Sequence, residues 1–218
     1  MELQNATSLN LVFDDPNNEF GPFRTQIEEN IQFAWNQWDV FIDADPNASI
    51  ELTVLPSNDT GSTVASASSP FINGAAHGVV GTELINGVDN NGSSSDGSIE
   101  ISIDFLSEFH YNLDSTASGD KINFGDVITH ELGHVLGYSS SIPDLLQTAY
   151  GSLVDEVDGT FIGEHATAVN GGPVSLQGGS LSHLDRSSFP SSIMSPVALR
   201  GGNLDISHTL KGVFFYFF

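Results

Sequence analysis

Apolar residues recur along this chain in two rhythms. Between Phe23 and about Ile42 they fall at three- and four-residue steps, with Ile27, Ile31, Ala34, Trp35 and Trp38 on one side. That spacing predicts a long amphipathic helix, with both tryptophans in the core. The same step returns in Asn123–Gly137 (NFGDVITHELGHVLG), where Phe124, Val127, Ile128, Leu132, Val135 and Leu136 predict a second helix. Strict alternation predicts strands at Leu9–Asp14 and Ser49–Leu55, and the turn cluster Asp15-Pro16-Asn17-Asn18 closes the first of them. Ser62–Ser68, Gly78–Ile85 and Ser98–Phe105 are further strand candidates. The last precedes the second helix and is expected at a sheet edge, where an extended peptide can add itself as a further strand.

Downstream of Gly137 the rhythm weakens. Tyr138–Ser182 is a long excursion with one short helix expected near Pro143–Tyr150, and with glycine-rich turns at Asp158-Gly159, Gly171-Gly172 and Gly178-Gly179. Asp205 to about Phe215 reads as a terminal helix weakened by Gly212, and Val213–Phe218 is an unusually apolar run. There is no internal repeat and no inter-domain linker. The expected organisation is one α+β domain over 1–218, with an N-terminal subdomain (1–137) and an irregular C-terminal subdomain (138–218).

Composition narrows the class. At 218 residues the chain can bury a substantial core, and its 15 Phe argue for a packed interior. A net charge of −23 repels nucleic acid and anionic membranes, so neither is expected as a partner. The same charge suits carboxylate clusters that hold calcium. Asp89–Gly97 (DNNGSSSDG) is the candidate, through Asp89 and Asp96, with a solvated turn as the competing reading. Asp43–Asn47 resembles half of an EF-hand loop, but Ala48 and Val54 occupy the positions of the required Gly and Glu, so it reads as a turn. The absence of cysteine rules out disulfide and thiol chemistry. No stretch approaches the roughly 20 apolar residues that span a bilayer.

The second helix carries the chemistry. His130 and His134 stand four apart, so their side chains lie one above the other and can share one metal ion, most often zinc for nitrogen ligands. Glu131 projects beside that ion and is placed to act as a general base. Gly133 is a poor helix former, and Gly137 is expected to end the helix in a left-handed turn. A catalytic zinc site needs a third protein ligand. His77, His110, His165, His183, His208, Glu156 and Glu164 all remain open for it. His77 lies in a loop expected to border the cleft, whereas His110, His165 and His208 read as structural or surface residues.

HELGHVLG resembles the metzincin signature HExxHxxGxxH, although Ser140 stands where the third His belongs. In leishmanolysin-type metzincins an insertion follows the glycine, the third His arrives later, and a methionine turn comes shortly after it. Ser182-His183-Leu184-Asp185 followed by Ile193-Met194-Ser195-Pro196 resembles that layout, and FIGEHATAVNGGPVSL resembles a segment of secreted, matrixin-like bacterial proteases. The resemblance implies His183 as third ligand, Met194 as the methionine beneath the metal, and a twisted mixed sheet with two long helices. Cysteine-rich classical leishmanolysins are not matched in that respect. Val197 stands where several metzincin families place an oxyanion-stabilising Tyr, and Tyr138, Tyr150 or solvent are left for that role.

The function expected is that of a zinc-dependent endopeptidase acting on protein or peptide substrates, monomeric and secreted. MELQNATSLN has no signal-peptide pattern, so the chain is either cytosolic or a mature form with an added Met, and the resemblance to secreted proteases implies the mature form. Two alternatives are a gluzincin-type peptidase using Glu156 or Glu164, and a non-catalytic binding or adhesion module that keeps the fold.

Overall fold

The computed structural model describes residues 7–58, 61–71, 77–138, 148–196, 198, 200–201, 204 and 206. Strands β1 (Ser8–Phe13), β2 (Ser49–Ser57), β3 (Ala65–Ser68) and β4 (Gly97–Ser102) form a mixed sheet in the order β1-β2-β4-β3. β1, β2 and β4 run parallel, and β3 pairs antiparallel with β4 at the edge. Helix α1 (Arg24–Asp39) follows β1, and helix α3 (Phe124–Val135) follows the two-residue strands β5 (Phe109–His110) and β6 (Ile122–Asn123). A second, smaller sheet of β7 (Val154–Asp155), β8 (Thr160–Phe161) and β9 (Val174–Ser175) carries helix α4 (Glu164–Asn170) between its last two strands. The fold is therefore mixed α and β, with no described helix long and apolar enough to cross a membrane.

α1 forms for the reason its pattern suggests. Ile27, Ile31, Ala34, Trp35 and Trp38 are all within 1% of full burial. Each large apolar side chain so buried contributes roughly 1.5–3 kcal/mol relative to exposure. The chain enters α1 through a tight turn in which the Asp15 carboxylate accepts the Glu19 and Phe20 N–H groups at 2.7 and 3.0 Å. α1 packs on α3, and the Trp38 indole N–H donates to the Thr129 carbonyl at 2.8 Å.

Two expectations fail. Gly78–Ile85 is not a strand but helix α2 (Gly78–Asn86), ended by Gly87 at φ 63°. Val79, Val80, Leu84 and Glu83 are all buried, so the helix has little polar stripe and its period is masked in the sequence. Ser98–Phe105 does not form the edge either. Its strand part, β4, lies inside the sheet, and Ile103–Phe105 is a 3-10 turn. The edge on that side is β3, whose four small residues suit a blunt, exposed border. Of the short helix expected near Pro143–Tyr150, 143–147 lie outside the described residues. So do Ser140 and, Ile206 apart, the terminal helix expected over Asp205–Phe215.

The acidic loop before β4 uses its carboxylates locally. Asp89 Oδ1 accepts the Asn91 and Gly92 N–H groups, and Asp96 Oδ2 accepts the Glu51 N–H at 2.7 Å. Asp45 likewise caps its own turn through the Asn47 N–H. Glu83 lies 2% exposed beside Asp96, and burial lifts its pKa to about 7, partly opposed by the Asn90 N–H. A carboxyl whose pKa is raised on folding contributes stability that is lost as pH climbs through that value. Glu83→Gln keeps the acceptor for Asn90 and a donor for Asp96. Its thermal midpoint should exceed wild type by roughly 2–4 °C at pH 8.5, the size of about 1 kcal/mol in a chain of this length, and match it at pH 5. Equal midpoints at pH 8.5 in a melting experiment would refute this.

Candidate metal centre

α3 begins at Asn123, whose side chain accepts the Asp126 N–H. Its buried stripe of Phe124, Val127, Ile128, Leu132 and Val135 packs into the core, which turns His130 and His134 towards a cleft. The helix stops at a doubly bonded turn. The Gly137 N–H donates to the His134 carbonyl at 3.1 Å, and the Tyr138 N–H donates to the Gly133 carbonyl at 3.0 Å. This pairing requires a left-handed residue, and Gly137 supplies it at φ 111°. The turn sends the Tyr138 carbonyl back over the helix, where it lies 2.5 Å from His134 Nδ1.

The other two rings are held in the same way. His130 Nδ1 lies 2.7 Å from the Ile193 carbonyl, and His183 Nδ1 lies 2.7 Å from the Ser180 hydroxyl. All three Nε2 atoms then point inward. Those of His130 and His134 are 3.1 Å apart, and those of His130 and His183 are 3.2 Å apart. Carbonyls only accept, so the Nδ1 atoms of His130 and His134 carry the protons and their Nε2 atoms present bare lone pairs to each other. Two lone pairs at that distance repel, and a cation between them removes the repulsion. Bonds of ~2.0–2.1 Å at the tetrahedral angle place ligand nitrogens roughly 3.3 Å apart, close to the spacing seen. The donor set therefore fits a metal ion, and it is the only such group of His, Cys, Asp and Glu among the described residues. Burial holds the pKa of His130 down to about 3 and that of His183 to about 4, and lowers that of His134. The imidazoles are thus neutral and ready to ligate at neutral pH.

Glu131 lies at 6% exposure on the same turn, and its carboxylate accepts the Ala67 N–H of β3. Burial raises its pKa to about 8, partly offset by that bond. A divalent cation alongside would pull the value back down. Met194 is fully buried beneath α3, and its segment is tied to the third histidine by the Leu184 N–H bonding the Met194 carbonyl at 2.9 Å.

The three histidines and Glu131 line one cleft of about 890 Å³. Its walls are the β3 side (Ser62–Ala67), the face of α3, and the C-terminal stretch from Gly179 to His183 with Ser195 and Pro196. The remaining candidates lie elsewhere. Glu156, Glu164 and His165 are exposed, and His110 bonds Ser115 through Nε2. His208 lies outside the described residues. His77, expected at the cleft border, immediately precedes α2 and is absent from the cleft lining. Tyr138 and Tyr150 are both buried, ring against ring, and the Tyr150 hydroxyl donates to the Leu181 carbonyl. Neither faces the cleft, so neither serves an oxyanion there. The residues that the sequence did not single out are Ser180 and Ala67, whose roles depend on contacts across the fold.

No protein-family model matches this sequence, and no curated protein sequence matches it either.

Gly133 also finds its reason here. A Cβ at that position would lie 2.5 Å from Met194 Sδ and 3.4 Å from the Trp38 ring. Gly133→Ala gains about 1 kcal/mol in helix propensity but forces the methionine away. A net loss of roughly 1–3 kcal/mol in urea unfolding is expected, and a variant as stable as wild type would show the contact to be soft.

Proposed function

We propose that this chain is a zinc-dependent endopeptidase of metzincin type, working outside the cell on protein or peptide substrates. The convergence of three Nε2 atoms, at least two of them deprotonated by the carbonyls behind them, carries the reading. His130, His134 and His183 would hold the ion. Zinc bound by three protein ligands supplies a Lewis acid that polarises a carbonyl and lowers the pKa of water towards 7. Glu131 takes the proton from the attacking water and passes it to the departing amine nitrogen. The Ala67 N–H fixes the carboxylate for that work. The exposed side of β3 offers an extended peptide a strand to lie along, so the scissile bond is brought past Glu131.

The gluzincin alternative loses support because Glu156 and Glu164 are solvent-exposed and outside the histidine group. The non-catalytic module is separated by assay. Glu131→Gln should keep one zinc per chain by elemental analysis and lose activity on a quenched peptide by at least ~10²-fold, the usual range for a general base. Substantial residual turnover removes the proposed base, and an inactive wild-type protein loaded with zinc favours the module.

Ligand assignment has its own test. Chelation followed by zinc titration should restore one equivalent in wild type and in His165→Ala, and none tightly in His183→Ala. Tight zinc in His183→Ala, or its loss from His165→Ala, would overturn the third ligand.

A further inference from the structure

Asp126 stands one helical turn before His130, on the face of α3 that lines the cleft. One of its oxygens, Oδ2, accepts the Leu204 N–H at 2.7 Å. Its other oxygen has no partner among the described residues. The cleft's arginine does not neutralise it, since Arg200 donates to the Glu108 carboxylate and to the Asp120 carbonyl. Burial lifts the Asp126 pKa to about 6, and only the Leu204 N–H opposes the rise. Asp126 is therefore ionised at neutral pH and uncompensated among the described residues. An acid in the first turn of a helix commonly offsets the helix dipole. That role explains the residue type but does not require its carboxylate to border the cleft.

Part of the surrounding wall is apolar. Phe105, Ile122 and Leu204 line the same cleft, and Asp126 and Leu204 also border a second cavity of about 510 Å³. A methylene stem with a cationic head matches this combination, with the stem on the apolar wall and the head on the carboxylate. Resting on the peptidase reading above, we infer that Asp126 makes the cleft select peptides with a lysine or arginine side chain close to the scissile bond. Asp126 acts here as a specificity-determining residue.

The test uses two peptides that differ only by lysine or its neutral isostere norleucine at each position flanking the cleaved bond. Binding is read by fluorescence anisotropy on zinc-loaded Glu131→Gln protein, and cleavage is read on the active protein. A charge-assisted pair predicts a preference for lysine of roughly tenfold or more at one position. That ratio should fall to near unity when Asp126→Asn is added, because the amide still accepts the Leu204 N–H but carries no charge. Glu28→Gln removes the same charge from an exposed site on α1, and should leave the ratio intact. Asp126→Glu, which restores the charge on a longer stem, should keep a preference if Asp126→Asn proves unstable. A ratio unchanged by Asp126→Asn, an equal fall in Glu28→Gln, or a preference for norleucine would overturn the inference. Cleavage of both peptides at equal rates would leave the peptidase standing and remove the selectivity. A binding ratio that follows Asp126 with no cleavage by zinc-loaded wild type would do the reverse.

Discussion

Each imidazole of the histidine group is useful only because another group holds its far nitrogen. Carbonyl oxygens of Tyr138 and Ile193 fix the tautomers of His134 and His130, and the Ser180 hydroxyl steadies His183. Much of the local architecture follows from delivering those oxygens. The Gly137 turn exists at one point of the chain, yet it decides where the Tyr138 carbonyl lies and therefore which lone pair His134 offers. The Ile193 carbonyl reaches His130 across 63 residues of sequence, which only the folded C-terminal region makes possible. Such bonds would orient the rings around an ion and raise their basicity, and in metal sites partners of this kind commonly matter nearly as much as the ligands.

Packing beneath α3 supplies the rigidity. Trp38 from α1 bonds the α3 backbone at Thr129, and Met194 fills the space left by the missing side chain of Gly133. A helix clamped in this way cannot rotate to relieve the repulsion between its histidines. The Ala67 N–H of the sheet edge bonds Glu131, so the candidate base is coupled to the strand along which a peptide would lie. Base, ligands and edge are thereby held in one frame.

The charge balance fits the same picture. With 28 acidic residues against five basic ones, few cations are at hand to pair carboxylates. Arg200, the ion-pairing cation seen in the cleft, is committed to Glu108. Several acids instead bond backbone N–H groups, as Asp15, Asp89 and Asp96 do. A carboxylate such as Asp126, one oxygen of which has no partner among the described residues of the cleft, is therefore a strong local feature, one that a cationic ligand can satisfy.

Local pattern was sufficient wherever one face of an element is buried and the other is wet. α1, β1, β2 and α3 all follow their hydrophobic periods, and the helical spacing of His130, Glu131 and His134 needs nothing beyond the chain itself. Pattern was insufficient where burial is nearly complete, as in α2, and for the order of strands in the sheet, since β3 was expected as a strand within Ser62–Ser68 but the edge was expected at β4. The third histidine belongs to neither case. Its distance from the helix in sequence leaves several candidates equal, and resemblance alone singled out His183. Tertiary structure separates them, because among the described candidates it brings only His183 to the helix pair, and no sequence period records that distance. The same holds for Ser180, Ala67 and Ile193, whose parts in the site are played by groups that every serine, and every residue's backbone, possesses.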